Sequence, residues 1–525
     1  MVESTSSLRP ENPHSRSVAA LVETFSLSRG DGASSSVSPT LRVTGITMAT
    51  SEVRPGDVFV GLPGKRVHGA TYAVAARDAG AVAIITDHDG ATVAALSGLP
   101  VFIAPNVREI LGELAAWVFD TANDAPITFG VTGTNGKTSV VYLMTALLTQ
   151  LGVTCGLSST AERRIGETAI VSQLTTPEAT ELHALLARMK EADVAAVAIE
   201  VSAQAMTQHR VDGVFFDVVG FANLSHDHLD DYATYDDYYA AKAELFTHER
   251  AARGVVLVDT EWGIKLATES KIPITTVSTH PGLAADWQVT VTAETPRSVT
   301  FDLTSPQGAA MTVNVPLLGR FMAANAALAI VMLIEGGYAA SEIAAVLERD
   351  GGIRAFIPGR AEIVSGSAGP IFYVDYGHTP DAFASILSSL RTVISGKIVM
   401  VFGADGDRDR TKRQEMGQIA ATGADVVVIT DFHPRTEDPA AIRAQLLAGA
   451  RSAHARSELF EVADPTEAVR FALTLAGEGD AILYAGPGHE NYREVAGHHV
   501  AYDARNDVRL ALREAGWMEK TNDHD

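Results

Sequence analysis

The chain has 525 residues, of which 46% are apolar and 20% are charged, and its formal net charge is −23. That length exceeds one compact core, so we expect two to four domains. The acidic balance argues against nucleic acid or an anionic membrane as the main partner, because both favour a basic protein surface.

The cysteine content and the absence of a targeting pattern both bear on the cellular compartment in which the protein works. Cys155 is the only cysteine, which excludes an intramolecular disulfide and a cysteine-built zinc site and fits a reducing compartment. The first residues are polar, and no uncharged apolar stretch reaches the roughly 20 residues that a membrane helix needs. We therefore expect a cytoplasmic monomer without membrane insertion.

The hydrophobic pattern divides the chain into three parts. Residues 1–125 mix short apolar strands with an alanine-rich helix. Over 126–355, strands rich in valine and isoleucine alternate with amphipathic helices, which is typical of a largely parallel sheet covered on both faces. Glycine and proline in GIRAFIPGR (352–360) mark a boundary, and the alternation resumes over 356–525. The sequence therefore predicts an α/β protein of three domains.

A glycine-punctuated turn lies between a strand and a helix in FGVTGTNGKTSVVYLM (129–144). Backbone amides of such a turn point at an anion, and the helix N-terminus adds partial positive charge. Lys137 would reach the outer phosphates of ATP and Thr138 would ligate magnesium. A turn without a ligand is the alternative, but the Lys-Thr pair favours ATP. The predicted contacts of this loop with ATP are Gly133, Thr134, Asn135, Gly136, Lys137, Thr138 and Ser139.

An acidic residue closes the next apolar strand, VAAVAIEVS (194–202). Glu200 at such a strand end, beside a phosphate loop, is where a parallel sheet places ligand groups. Magnesium prefers oxygen ligands and keeps phosphate and water in its shell. His228 offers a further ligand. A solvated acid is the alternative interpretation of Glu200 taken alone, and ATP and Mg²⁺ are the predicted cofactors.

The stretch TGTNGKTS (132–139) resembles the ATP-binding loop of the Mur ligase family, whose members use ATP to join a carboxylate to an amine. EVSAQAMTQHRV (200–211) and YYAAKAELF (238–246) resemble further segments of that family. Lys242 in the second segment corresponds to a lysine that becomes an N-carbamate; without the resemblance it reads as a snorkelling surface residue. The resemblance implies that magnesium is held by Thr138, Glu200 and His228, and that the catalytic residues are Lys137, His228 and Lys242.

Similar segments run from about residue 43 to 510. They include VRPGDVFVGLPGKRVHGATY (53–72), IPGRAEIV (357–364) and VDYGHTPDAF (374–383). The family's fold implies an N-terminal uridine-binding α/β domain, a central P-loop ATPase-like parallel sheet and a C-terminal Rossmann-like domain. We place these domains at 1–125, 126–355 and 356–525.

The resemblance also implies substrate residues. Further contacts with ATP would come from Asn325, Arg360, Asp375 and His378, of which the last three could instead form an ion-pair cluster at a domain junction. Contacts with a UDP-sugar-peptide substrate would come from Thr50, His68, Thr175, Thr176, Ser202 and Arg210. The sequence departs from the family at Ala49, Gln204, Met322 and Pro487, which leaves the uridine contacts open and makes Asn325 the adenine-side candidate.

The segment TDFHPRTEDP (430–439) corresponds to a family motif that is typical of enzymes adding meso-diaminopimelate. Phe432 and His433 stand where that motif has aspartate and asparagine, whereas Arg435 is retained. The planar guanidinium of Arg435 suits a carboxylate of the substrate. The alternative interpretation is that Arg435 forms a salt bridge to Glu437 or Asp438 at the start of a helix. Diaminopimelate, lysine, ornithine and other diamino acids therefore stay open. The residues implied to bind the amino acid are Arg408, His433, Arg435, Gly486 and Glu490.

The resemblance implies an ATP-dependent ligase that adds a diamino acid to UDP-N-acetylmuramoyl-L-alanyl-D-glutamate through an acyl phosphate, for peptidoglycan. A nearer rival is another Mur-type or folylpolyglutamate-type amide ligase, which the uridine-like first domain and VDYGHTPD oppose. A rival of another class is a catalytically silent nucleotide-binding partner. The presence of Lys137, Glu200 and His228 argues against it.

Overall fold

The computed structural model describes residues 8–30, 38–64, 66–123, 125–172, 174–227 and 230–518. The predicted catalytic and metal-binding residue His228 lies outside these ranges. Within them, no helix is both long and apolar enough to cross a membrane.

The first sheet is built from the N-terminal part of the chain. In chain order the elements are β1 (Arg16–Ser17), α1 (Val18–Thr24), β2 (Ser28–Arg29), β3 (Arg42–Val43), β4 (Gly45–Thr47), β5 (Asp57–Gly61), α2 (Ala73–Asp78), β6 (Ala83–Thr86), α3 (His88–Ala95), β7 (Val101–Ile103) and α4 (Val107–Phe119). The sheet order is β2-β7-β6-β5-β4, with parallel pairing throughout except for β2, and β1 pairs with β3 separately. Every residue of β5 is buried, as expected for a parallel strand covered on both faces.

The central sheet is the largest. Its elements begin with β8 (Ile127–Thr132), α5 (Lys137–Gln150), β9 (Cys155–Ser158), β10 (Glu162–Ile165), β11 (Thr168–Val171), α6 (Ala179–Glu191), β12 (Ala196–Glu200), α7 (Ala203–Thr207), β13 (Phe216–Phe221) and α8 (Tyr235–Ala243). They continue with β14 (Ala251–Leu257), α9 (Glu261–Glu269), β15 (Ile274–Ser278), β16 (Trp287–Thr295), β17 (Ser298–Thr304), β18 (Ala310–Val315), α10 (Arg320–Glu335) and α11 (Ala340–Asp350).

The order of the central sheet creates a crevice at the phosphate loop. The strands run β11-β10-β9-β12-β8-β13-β14-β15-β16-β17-β18, and β8 pairs in parallel with β12 on one side and β13 on the other. The chain leaves β8 toward one side of the sheet and later returns to the other side. Such a switch opens a crevice at the carboxyl ends of the strands, where ligands bind in this architecture.

Helix α10 anchors the core of the central part. Its sequence, RFMAANAALAIVMLIE, is apolar on nearly all sides, and the residues from Asn325 to Leu333 are all buried. A helix of this kind has to lie inside the protein. It packs against α5 and the central strands, and so supports the loop between β8 and α5 from below.

The last sheet belongs to the C-terminal part. Its elements are β19 (Glu362–Ile363), β20 (Ile371–Asp375), α12 (Pro380–Val393), β21 (Ile398–Phe402), α13 (Lys412–Gly423), β22 (Val426–Ile429), α14 (Pro439–Ser452), β23 (Glu458–Glu461), α15 (Pro465–Thr474), β24 (Ala481–Ala485), β25 (Tyr492–Val495), β26 (His498–Ala501) and α16 (Ala504–Glu514). The sheet order is β19-β20-β24-β21-β22-β23, parallel from β20 to β23, and β25 and β26 form a separate hairpin.

These three sheets confirm the predicted α/β fold of three domains, including the central parallel sheet and the Rossmann-like C-terminal unit. The strands of each sheet fall within one of the ranges 1–125, 126–355 and 356–525. The boundaries themselves stay a prediction.

Candidate active site

A cavity of about 710 Å³ lies between the phosphate loop of the central sheet and the loops of the C-terminal sheet. Its wall is formed by residues that the sequence predicts to bind ATP, the metal ion, the peptide substrate and the amino acid. The predicted residues that line it are Thr134, Asn135, Gly136, Lys137, Thr138, Ser139, Thr175, Glu200, Ser202, Arg210, Asn325, Arg360, Asp375, His378, Arg408, His433, Arg435 and Glu490.

Other predicted residues lie beside or away from this cavity. Thr176 donates its hydroxyl to the backbone oxygen of Glu200 at 2.8 Å. Gly486 has a φ of +118° and donates its amide to the backbone oxygen of Asp375. Neither Thr50 nor His68 belongs to the cavity wall.

His68 is engaged within the N-terminal sheet. Its Nδ1 accepts the amide of Ala70 at 3.1 Å, and its Nε2 lies 3.0 Å from Oδ1 of Asp87. Because Nδ1 is an acceptor, the ring proton lies on Nε2 and is donated to the carboxylate. The predicted contact of His68 with a UDP-sugar stays a prediction, and a ligand would have to compete with these bonds.

The phosphate loop requires glycine immediately before α5. Gly136 has a φ of +89° and precedes the first helical residue, Lys137. A Cβ atom at Gly136 would lie 2.5 Å from Oδ1 of Asn325 on α10. Both the left-handed backbone and this close approach therefore exclude other residues.

The ammonium of Lys137 lies over its own loop. Its Nζ donates to the backbone oxygens of Gly133 and Thr134, both at 2.9 Å. Burial lowers the pKa of Lys137, and the carboxylates of Glu200 and Asp227 oppose that shift. Because Nζ lies over the loop, it can replace its two hydrogen bonds to carbonyl oxygens with hydrogen bonds to phosphate oxygens, without moving away from the loop.

Lys242 lies beneath the same loop. The residue is 1% exposed, and its Nζ donates to the backbone oxygen of Gly133 at 2.9 Å and lies 4.4 Å from the ring centroid of Tyr238. Burial, together with the charge of Lys137, holds the pKa of Lys242 well below its usual value. The snorkelling alternative is wrong, because a surface lysine would keep its ammonium in water.

Glu200 is fully buried at the end of β12, next to β8. Its two carboxylate oxygens accept the amide of Thr160 at 2.8 Å and the hydroxyl of Thr160 at 3.1 Å. No ion pair to Glu200 occurs within the described ranges. The alternative of a solvated acid is therefore wrong, and a buried carboxylate without a direct protein ion pair suits a bound cation.

The donor set fits magnesium. Glu200 offers carboxylate oxygens and Thr138 a hydroxyl oxygen on the same cavity wall, and hard cations prefer such oxygens. Among the described residues, no group of three or more His, Cys, Asp and Glu side chains forms a metal cluster. A magnesium ion that takes one or two protein groups together with phosphate oxygens does not need one.

Arg210 is the cationic group on the peptide side of the cavity. Its Nε lies 3.1 Å from Oε1 of Glu178, and its Nη1 donates to the backbone oxygen of Thr176 at 3.3 Å. Glu178 also pairs with Arg108 of α4 at 2.5 Å. These contacts tie the first sheet to the wall on which Arg210 lies.

The C-terminal part reaches the phosphate loop through Arg360. Its Nη2 donates to Oγ1 of Thr138 at 2.9 Å, and its guanidinium lies 4.2 Å from the ring centroid of Tyr376. Asn135 of the loop donates in turn to Thr379 at 3.3 Å and to Asp381 at 3.2 Å. The two domains therefore touch where nucleotide phosphates are expected.

Asp375 and His378 shape the same junction. Asp375 accepts the amides of Ala361 at 2.7 Å and Gly377 at 2.6 Å. His378 lies 2.9 Å from the backbone oxygen of Tyr376 through Nδ1, which must therefore carry the proton. Burial, together with the charge of Lys412, lowers the pKa of His378, which favours the neutral ring. Asp375 thus fixes the backbone directly after Arg360.

Several loops of the C-terminal part form what we call the amino-acid corner, defined by Asp405, Arg408, His433, Arg435, Glu490 and Glu494. Arg435 lies 3.4 Å from Asp405 and 3.3 Å from Glu494. The alternative of a helix-start salt bridge is wrong, because Glu437 pairs with Arg413 at 2.8 Å and Asp438 caps α14 instead.

Sequence reasoning missed residues that complete the site. Thr160 holds Glu200, Tyr376 lies under Arg360, and Asp405 and Glu494 hold Arg435. Tyr376 lies inside the segment VDYGHTPDAF, which also holds the predicted residues Asp375 and His378, and Asp405 lies three residues before the predicted Arg408. Thr160 and Glu494 carry no comparable local signal.

The fold and the site together define a P-loop enzyme in which a second α/β unit closes over the nucleotide loop. Family models match three consecutive stretches of the chain: "Mur ligase family, catalytic domain" at 42–117, "Mur ligase middle domain" at 131–333, and "Mur ligase, glutamate ligase domain" at 359–488.

Relatives match over nearly the whole chain. It is 62% identical over 514 residues to the UDP-N-acetylmuramyl-tripeptide synthetase of Leifsonia xyli subsp. xyli, covering 98% of this chain and 99% of that protein. It is 43% identical over 479 residues to the UDP-N-acetylmuramoyl-L-alanyl-D-glutamate–2,6-diaminopimelate ligase of Streptomyces avermitilis, covering 90% and 92%. A solved structure of a ligase of the latter name matches with a TM-score of 0.62 at 28% identity, covering 98% of this chain and all of that one.

The fold also resembles more distant structures. MurF from Acinetobacter baumannii matches with a TM-score of 0.68 at 18% identity, covering 90% of this chain and 96% of that chain. The chain belongs to the Mur ligase family. The predicted family and the predicted class, a ligase, are thereby confirmed.

Proposed function

We propose that this ligase uses ATP to join a diamino acid to the D-glutamate carboxylate of UDP-N-acetylmuramoyl-L-alanyl-D-glutamate, in peptidoglycan precursor synthesis. The observation that carries the proposal is the single cavity that joins the phosphate loop, Arg210 and the amino-acid corner. The names of the relatives at 62% and 43% identity support the same substrates.

The arrangement suits a reaction in two steps. The glutamate carboxylate attacks the γ-phosphorus of ATP, which forms an acyl phosphate and releases ADP. The amine then attacks the acyl carbon, loses a proton, and expels phosphate that keeps the bridging oxygen. Two anions meet in the first step, so the ammonium of Lys137 acts by neutralising charge and aligning the reactants.

The proposed ATP contacts are those of the phosphate loop together with Asn325, Arg360, Asp375 and His378. Arg360 spans both domains, since it contacts Thr138 and Tyr376. Its charge would therefore reach the phosphates only when the domains are together. Closure before chemistry also keeps water from the acyl phosphate.

We assign magnesium to Glu200 and Thr138, with His228 as a further ligand. When bound, the ion would neutralise charge on the phosphate oxygens. Thr160 orients the Glu200 carboxylate, because its amide donates to one carboxylate oxygen and its hydroxyl donates to the other. Lys242 is buried below the loop with a lowered pKa, and its free amine is suited to form a carbamate with CO₂.

The domains then divide the substrates. Residues 1–125 would hold the uridine end near Thr50 and His68, residues 126–355 ATP and metal, and residues 356–525 the amino acid. We propose that the protein works in the cytoplasm as a monomer. Thr175, Ser202 and Arg210 would contact the peptide from the central sheet, and the buried Thr176 would support this wall through its hydrogen bond to the backbone oxygen of Glu200.

Two alternative functions differ in the substrates that ATP turnover would require. A folylpolyglutamate-type ligase would turn over ATP with a carboxylate other than the UDP-muramoyl dipeptide. A silent nucleotide-binding partner would show no turnover that depends on both substrates. The buried Glu200 and the ordered loop around Lys137 argue against the silent partner.

The test is product formation with each component omitted in turn. Purified protein receives ATP, magnesium, the UDP-muramoyl dipeptide and a mixture of diamino acids, and the product is identified by mass. We expect amide product and phosphate release only in the complete mixture. Lys137→Met should abolish both, whereas Lys265→Met, which removes a half-buried lysine paired with Asp236, should not. Phosphate release without the dipeptide would contradict the proposal.

A further inference from the structure

We infer that the amino-acid corner selects a diamino acid with a single carboxylate, and that His433 and the two carboxylates beside Arg435 determine this selection. The inference rests on the proposed function, because it concerns the amine substrate of that reaction. L-Lysine, L-ornithine and L-2,4-diaminobutyrate belong to the selected class. meso-Diaminopimelate carries a second carboxylate and does not.

The guanidinium of Arg435 is already engaged by carboxylates of the protein. Its Nη2 lies 3.4 Å from Oδ1 of Asp405, and its Nε lies 3.3 Å from Oε2 of Glu494. A substrate carboxylate that approached Arg435 would enter the field of these two anions. Like charges placed together repel strongly in a protein interface, so Arg435 is poorly suited to bind an extra substrate carboxylate.

The backbone fixes Arg435 in this position. Its φ is +51°, its amide donates to the backbone oxygen of Glu494 at 3.0 Å, and its own oxygen accepts the amide of Ala496 at 2.7 Å. These bonds attach the loop to the hairpin of β25 and β26. The ion pair with Glu494 is therefore part of a fixed loop contact.

Glu490 is oriented for a cation by neutral donors. Nδ1 of His433 accepts the amide of Glu494 at 2.8 Å, so the ring proton lies on Nε2, which donates to Oε2 of Glu490 at 2.7 Å. The hydroxyl of Tyr376 donates to Oε1 of Glu490 at 3.3 Å. Because these donors are uncharged, the carboxylate is held in place and its negative charge stays available for an ammonium.

The charges of the corner match such a substrate. Three carboxylates, of Asp405, Glu490 and Glu494, face two guanidiniums, of Arg408 and Arg435. Arg408 is exposed and makes no ion pair with any described residue. With the α-carboxylate on Arg408 and the side-chain ammonium on Glu490, each of these two substrate charges meets an opposite charge of the corner. Diaminopimelate would leave a carboxylate facing Asp405 and Glu494.

The test compares amine substrates with the full-length wild-type enzyme. Phosphate release and product mass are measured with the UDP-muramoyl dipeptide, ATP and magnesium, for L-lysine, L-ornithine, L-2,4-diaminobutyrate and meso-diaminopimelate separately. We expect kcat/KM for at least one monocarboxylate to exceed that for diaminopimelate by about 100-fold or more. Equal or better use of diaminopimelate would overturn the inference and leave the proposed function intact. Silence with all four would overturn both.

A double variant tests the charge argument directly. Asp405→Asn combined with Glu494→Gln keeps the shape of both side chains and frees Arg435. The ratio of kcat/KM for diaminopimelate to that for the preferred amine should rise by about tenfold or more. The matched control is Glu458→Gln, which removes an exposed carboxylate on β23. An unchanged ratio in a folded double variant would overturn the inference, and the wild-type comparison decides the matter if the variant does not fold.

His433→Asn tests the positioning role of the imidazole. The variant leaves Glu490 with one neutral donor, from Tyr376. We expect KM for the preferred amine to rise by about tenfold with kcat nearly unchanged, because the lost interaction serves binding of the distal ammonium. A fall in kcat with KM unchanged would contradict the assignment.

Discussion

The carboxylate of Asp227 and the ammonium of Lys412 lie 2.9 Å apart, although 185 residues separate them in the sequence. Asp227 follows the central strand β13, and Lys412 begins α13 of the C-terminal sheet. Both side chains are less than a tenth exposed. Beside them, His226 lies 3.1 Å from Thr411 and 3.3 Å from Asp409. The two domains are thus joined by a buried ion pair next to the phosphate loop.

Removal of this pair should separate the domains. Lys412→Met removes the ammonium that lies 2.9 Å from the Asp227 carboxylate, and breaking a buried pair costs about 3–5 kcal/mol. Moving the C-terminal domain away returns Asp227 to water and avoids that cost. We expect a larger radius of gyration in small-angle scattering, and a partial return to the compact form when Asp227→Asn is added. Scattering identical to that of the surface variant Lys265→Met would contradict this account.

Glu200→Gln should weaken the dependence of the reaction on magnesium. The amide keeps the size of the side chain and one oxygen that can accept the Thr160 amide, so the fold should persist. The magnesium concentration for half-maximal phosphate release should rise by more than about tenfold, as for other losses around a metal. Glu162→Gln is the control, since Glu162 lines the same cavity and pairs with Arg164. Equal magnesium titrations of both variants would refute the assignment.

His183 should make the protein sensitive to acid. It is fully buried, with Nδ1 2.7 Å from Oγ1 of Thr121 and Nε2 2.9 Å from the backbone oxygen of Asp212. Burial lowers the pKa of His183 to about 4. The unfolded chain therefore binds more protons between its ordinary pKa and that value, and the stability present above the ordinary pKa is lost as pH falls through this window.

The expected loss is about 2 kcal/mol in the free energy of unfolding between about pH 7.5 and about pH 5. His183→Gln cannot take up this proton, so the pH dependence measured by urea unfolding should be smaller by that amount. The exposed His280→Gln serves as the control. The same slope in wild type and His183→Gln would show that other groups cause the sensitivity.

Lys242 should carry a carbamate. CO₂ reacts with a neutral amine, and a lowered pKa raises the neutral fraction at any given pH. The ammonium first loses one proton to give the neutral amine, and the addition of CO₂ to that amine releases a second proton, so the buried cation becomes an anion below the phosphate loop. Carbon-13 NMR with labelled bicarbonate should show a carbamate signal in wild type and in Lys265→Arg, and none in Lys242→Arg. A spectrum that does not change in Lys242→Arg would exclude the modification.

Local patterns predicted the parts of this structure that depend on neighbours in sequence. The glycines and Lys137 of TGTNGKTS gave the position where α5 begins, since strand, turn and helix follow directly from spacing and backbone freedom. Glu200 at the end of β12 followed from the apolar run before it. Both are properties of one segment.

Contacts between distant segments could not be predicted in this way. Arg435 is held by Asp405, which follows β21, and by Glu494 of β25, and no pattern around Arg435 indicates either carboxylate. Lys242 lies in YYAAKAELF, whose apolar residues are compatible with a snorkelling lysine and with a buried one. Whether Lys242 is buried or exposed therefore depends on the packing of α8 beneath the phosphate loop, which the local sequence does not show. His68 is engaged by Asp87, 19 residues further on, for a similar reason.

The most direct test of the central claim follows the oxygen atoms of the reacting carboxylate. The UDP-muramoyl dipeptide is prepared with oxygen-18 in the glutamate carboxylate and incubated with ATP, magnesium and the preferred diamino acid. An acyl phosphate intermediate predicts one oxygen-18 atom in the released phosphate and the other in the amide product. Unlabelled phosphate, or label in AMP, would contradict the account.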